Sequence, residues 1–133
     1  MKKIICLVIS LIMICGCVTL QSGSVKQKMS KIDYSDGINK EEAIVIAQDH
    51  ILKERIPVYS LTPNGVRQEV VMFYSNKNAA MYVADKQYQD KEVTVWVVTF
   101  SCKSSQFMFL PLPHLVFIDV KKGNVIYEYT DVM

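Results

Sequence analysis

Cysteine is nearly absent beyond the start of the chain. Of four cysteines, Cys6, Cys15 and Cys17 lie at the N-terminus and Cys102 stands alone in the remainder. The chain beyond residue 17 therefore cannot form an internal disulfide, and a domain built there must rely on its apolar core. Histidine is limited to His50 and His114, too few for an imidazole-rich metal centre. Net charge is nearly absent as well. There are 15 Lys and Arg against 13 Asp and Glu, and Lys2 and Lys3 account for the excess. No clustered positive face is expected, which excludes nucleic acid as a partner. Gly-x-Ser-x-Gly, His-Glu-x-x-His, a phosphate loop and Cys-x-x-Cys are all missing. No enzymatic activity, cofactor or metal is expected. Residues 17–133 suffice for one domain and not two.

What is present begins with a marked N-terminus. Lys2 and Lys3 precede an apolar run, Ile4–Ile14, interrupted only by Ser10. That run is about half the ~20 residues a membrane-spanning helix needs, and it has the layout of a secretory signal. It ends in Ile14-Cys15-Gly16-Cys17. The motif resembles the lipobox of bacterial lipoproteins, an aliphatic residue and two small residues before a cysteine. The resemblance implies cleavage after Gly16 and diacylation of the Cys17 thiol, with a further acyl chain on the new amino terminus. Several acyl chains together anchor firmly, since each buried methylene contributes ~0.8 kcal/mol. Residues 1–16 are thus expected to be a signal peptide. The mature protein is expected to sit on a membrane through lipid on Cys17, facing the periplasm. In a Gram-negative host, Val18 after the anchor favours the outer membrane.

Residues 17–32 read as anchor plus polar tether, with Lys26, Lys28 and Lys31 solvated. Residues 33–133 read as one α+β domain, an N-terminal helix packed on an antiparallel sheet of four to six strands. Asn39 and Glu42 have the spacing of a capping box, and Ile38 precedes the cap as a hydrophobic staple would. Ala43, Ile44, Ala47, Ile51 and Leu52 form the apolar stripe, and the helix is expected to end before Pro57. Strands are expected at Val66–Ser75, Ala79–Ala84, Val93–Phe100, Leu115–Val120 and Val125–Thr130. The third has two apolar faces, as a central strand does. Lys121-Lys122-Gly123-Asn124 joins the last two as a hairpin turn, with Gly123 supplying positive φ.

Three stretches resemble the PepSY-like domains of exported bacterial proteins: Asn39–Ala47, Val95-Trp96-Val97-Val98 and Phe117–Ile126. That likeness implies a helix-on-sheet domain that modulates an exported enzyme. The segment 57–92, longer than that pattern, is closer to the cone-shaped folds related to nuclear transport factors. These include small bacterial immunity proteins and imply toxin neutralisation. A structural lipoprotein of the envelope is a further reading. Neither resemblance assigns a catalytic residue to this chain.

The expected partner is an envelope protein or peptide. The candidate contact segment is Phe107-Met108-Phe109-Leu110-Pro111-Leu112-Pro113, with Phe107, Phe109 and Leu112 as the apolar anchors if it is exposed. If Phe107 and Phe109 point inward, the same segment is a bent core strand. His50 and Glu54, four apart on the helix, are expected to form a solvent-side pair. Cys102 and His114 would form a thiol–imidazole dyad only if a hairpin joined them, and no third orienting group is apparent.

Overall fold

The computed structural model describes residues 22–103 and 111–131. They form an α+β architecture in which two helices accompany an open, four-stranded antiparallel sheet. Helix α1 covers residues 22–29 and α2 covers Lys40–Lys53. Strands β1 (Gly65–Phe73), β2 (Lys91–Cys102), β3 (Leu112–Asp119) and β4 (Val125–Thr130) lie side by side in chain order.

Helix α1 occupies part of the stretch expected to be a polar tether. Its Val25 is buried, and Met29 and Ile32 pack on the main core. The spacing Val25, Met29, Ile32 is a short helical stripe, sparse among lysines and glutamines, and it docks residues that composition alone assigns to solvent.

Helix α2 begins as its sequence requires. Asn39 Oδ1 accepts from the Glu42 amide, and the Glu42 carboxylate accepts from the Asn39 amide at 3.0 Å. Glu41 and Glu42 lie at the positive end of the helix dipole. The helix stops at the C-cap Glu54, and Arg55 then turns the chain with φ of 54° ahead of Pro57. The buried stripe is Ala43, Ile46, Ala47 and Ile51. Ile46 replaces Ile44 at its centre, because α2 is rotated about its axis relative to the expected orientation.

The residue before the cap fastens α2 to the sheet. Ile38 N–H donates to the Val120 carbonyl at 2.7 Å, and Trp96 Nε1–H donates to the Ile38 carbonyl at 2.7 Å. The Ile38 side chain is buried with Ala43, Ile46, Val98, Phe100, Val116 and Ile118. Both backbone groups of one residue are thus satisfied by the sheet it packs on, as buried polar groups require.

The other sheet face carries a second cluster around Phe73, Val95, Val97, Leu115 and Phe117. Phe117 meets Phe73 edge-on at 6.4 Å and stacks with Tyr129 at 6.0 Å, and Tyr127 leans on all three rings. This face is closed by the connection between β1 and β2. Val83 and Tyr88 from that connection are buried, and Met81 packs on the same cluster. The expected strand at Ala79–Ala84 does not form. Asn76 starts a turn there, with Asn78 N–H donating to its side chain and Ala79 N–H to its carbonyl. Only an isolated parallel bridge links Tyr74 and Tyr82. Small alanines in a turn led by asparagine resemble a strand in apolar content alone.

β2 and β3 are buried on both faces, as central strands should be. The β3–β4 turn closes with Gly123 at φ of 72°, its N–H donating to the Asp119 carbonyl at 2.8 Å. A Cβ at Gly123 would come within 2.7 Å of the Tyr34 ring.

Trp96→Phe keeps most of the packing and leaves the Ile38 carbonyl without its donor. The expected loss in urea unfolding is about 1–3 kcal/mol, with the denaturant slope unchanged. A loss below ~0.5 kcal/mol would show that the indole hydrogen bond does not hold α2.

Candidate functional site

The two histidines meet at one carboxylate. His114 lies on β3 opposite Thr130 of β4, on the sheet face that carries α2, because its partner across β2 is the core residue Phe100. Glu128 is opposite Val116, on the same face. His50 reaches in from the last turns of α2. Its Nε2 is 2.7 Å from Glu128 Oε2, and His114 Nε2 is 3.1 Å from the same oxygen. His114 Nδ1 is 3.0 Å from Thr130 Oγ1.

With Glu128 ionised, chemistry assigns the hydrogen-bond roles. A carboxylate only accepts, so both imidazoles present Nε2–H to Oε2. When His114 is neutral, its Nδ1 must then accept from the Thr130 hydroxyl. The ring is held on both nitrogens and is 5% exposed. His50 and Glu128 are more open, with side chains 20% and 34% exposed. The arrangement ties α2, β3 and β4 together at the end of the domain opposite Ile38. Among the described residues, no group of three His, Cys, Asp or Glu is placed to hold a metal ion.

This corrects the expected pairing of His50 with Glu54. Glu54 is the helix C-cap and is exposed, whereas the partner of His50 lies 78 residues away on β4. Nothing local in the sequence marks Glu128 as that partner. It alternates with Tyr127 and Tyr129 on β4, and its inward orientation emerges only from the register.

Cys102 and His114 do lie on paired strands, yet they form no dyad. Cys102 is opposite Leu112, while His114 is opposite Phe100 and holds Glu128 and Thr130. The Cys102 thiol is buried, and burial pushes its pKa up, which leaves it protonated and inert at neutral pH. Leu112 is half-buried at the first position of β3. Phe107, Phe109 and Cys17 lie outside the described residues.

A second polar cluster sits on the opposite face. Tyr88 OH donates to Asp119 Oδ2 at 2.8 Å and accepts from Asn124 Nδ2 at 3.0 Å. Asp119 Oδ1 accepts from the Lys121 amide at 2.8 Å. The network pins the β3–β4 turn to the β1–β2 connection. Burial, with Asp119 beside it, pushes the Tyr88 pKa up to about 12.

No protein-family model, curated protein or solved structure matches this chain.

Two predictions test these clusters. Glu128→Gln removes the charge that both imidazoles address while keeping an acceptor. It should destabilise the domain by about 1–3 kcal/mol at neutral pH, and Glu128→Gln combined with His50→Gln should lose less than the two single changes added together. Additive losses would show that the contact is not a coupled unit. For Tyr88, the unfolded phenol ionises near the ordinary value of 10.0 and the folded one near 12. Between those values the unfolded state has released a proton that the folded state keeps. Stability should therefore fall as pH rises from 10 towards 12, and Tyr88→Phe should flatten that part of the curve.

Proposed function

We propose that this protein is a lipid-anchored bacterial envelope protein whose α+β domain binds or modulates a protein or peptide partner. The observation that carries the reading is Ile14-Cys15-Gly16-Cys17, preceded by Lys2, Lys3 and a short apolar run. Cys17 bears the lipid, and the domain faces the periplasm from the membrane that holds it. The outer membrane is favoured in a Gram-negative host. The partner-binding segment is the stretch bearing Phe107 and Phe109, which follows β2 in the sequence, together with Leu112 at the start of β3.

A PepSY-like modulator of an exported enzyme is the more specific form of the proposal. The order of one well-capped helix followed by a meander of strands supports it. In that form Trp96 fastens the helix rather than touching a ligand, since its indole N–H is held by Ile38.

Expression of the full chain with Cys17→Ala tests the anchor. The variant should accumulate as full-length precursor and incorporate no labelled fatty acid, while the unsubstituted chain is processed and partitions with membranes. Efficient processing of Cys17→Ala, or equal fatty-acid labelling, would sink the lipoprotein reading.

A further inference from the structure

Strand β1 is an edge strand, and among the described residues no strand pairs with its outer side. An open edge invites pairing with another chain unless it is blocked. The usual blocks are lysine, proline, or charges that match nothing. Gly65–Phe73 reads Gly-Val-Arg-Gln-Glu-Val-Val-Met-Phe and has neither lysine nor proline. Its charges are Arg67 and Glu69, placed symmetrically about Gln68. Outside them Val66 and Val70 are placed symmetrically too. The run Val66-Arg67-Gln68-Glu69-Val70 thus complements itself when reversed.

The backbone agrees with that symmetry. The Thr94 carbonyl of β2 accepts from Val120, on the β3 side. Antiparallel strands alternate the direction of their backbone groups. Odd residues of β2 therefore face β1, and with Arg67 opposite Val97 and Glu69 opposite Val95, the odd residues of β1 face β2. The N–H and C=O groups of Val66, Gln68, Val70 and Met72 point outward. Tyr74, next in that series, confirms the direction. Its N–H donates to Met81 and its C=O accepts from Val83, away from β2. Val70 is 64% exposed and Met72 is 37% exposed.

We propose that two copies of this chain pair edge to edge through β1, antiparallel, with Gln68 on the two-fold axis. Val66 then faces the second copy's Val70, and Arg67 faces its Glu69, each contact occurring twice. Gln68 and both valines supply the outward backbone groups, so the ladder bonds fall on the outward-pointing residues. Arg67 and Glu69, already an ion pair within one strand, gain the opposite charge across the axis. The result is one continuous sheet of eight strands with an isologous interface. A second copy is the occupant because it supplies the reversed order of charge that this edge presents. In the sequence, β1 is distinct from the stretch bearing Phe107 and Phe109.

Cysteine cross-linking of the full chain in membranes tests both the pairing and its register. Residues on the axis lie about 5.5 Å apart between Cα atoms, within disulfide range, so Gln68→Cys should give a covalent dimer under mild oxidation. Val70→Cys should not, because it is displaced from its own copy by four residues. The unsubstituted chain, which carries the same native cysteines, sets the background. In the Gln68→Cys background, Arg67→Glu should abolish the dimer by placing two acids opposite each other. Arg67→Glu with Glu69→Arg should restore it. No dimer with Gln68→Cys, an equal yield with Val70→Cys, or failure of the double exchange to rescue would each overturn the proposal.

Discussion

Both backbone groups of Ile38 are held by the sheet, and the rest of the domain depends on that attachment. Its N–H is tied to Val120 at the end of β3, and its carbonyl is tied to the indole of Trp96 on β2. One residue therefore fixes where α2 starts, how far it stands from the sheet and which way it runs. The capping box at Asn39 and Glu42 begins the helix at that point. Ala43, Ile46, Ala47 and Ile51 then meet Val98, Phe100, Val116 and Ile118 in a single cluster. An isolated helix of this length is marginal in water, so α2 is stable because of that packing. Cys102, the one cysteine among the described residues, is free, so no disulfide within them supports the junction.

The far end of α2 is held by polar chemistry instead. His50 and His114 converge on Glu128 where the apolar stripe runs out. The helix is thus attached by backbone and indole at one end and by imidazole and carboxylate at the other. On the opposite face the β1–β2 connection takes the place of a second helical layer. It supplies Val83 and Tyr88 to the aromatic cluster and ties Tyr88 to Asp119 and Asn124 at the β3–β4 turn. Both faces of the central strands are covered in this way, and the strand edges are left as the open part of the sheet.

Much of this was legible in the residues. The start of α2 could be read because capping is local chemistry: Asn39, Glu42 and the flanking Ile38 lie within five positions of each other. The β3–β4 turn could be read because only a residue tolerant of positive φ fits at Gly123. The α+β class and the central position of β2 followed from its doubly apolar run. Three features were not legible, for separate reasons. Helix α1 has too few apolar residues for a periodic signal, and Val25 is buried through contacts that only the folded chain supplies. Ala79–Ala84 looks like a strand in composition, but Asn76 turns it. The meeting of His50, His114 and Glu128 depends on strand register and helix rotation together, and neither is specified locally.

The functional account rests on a different kind of signal. In the proposal, the motif at Ile14–Cys17 directs processing and lipid attachment, and the domain then works within reach of the membrane. Partner binding in the envelope presupposes that placement, whereas the symmetric β1 edge stands on its own geometry. The most direct measurement is the intact mass of the protein extracted from membranes in detergent, with fragmentation of its N-terminal peptide. The account predicts a chain that begins at Cys17 and carries acyl groups on that residue. A chain that begins at Met1, or at any residue other than Cys17, or a Cys17 without lipid, would contradict it.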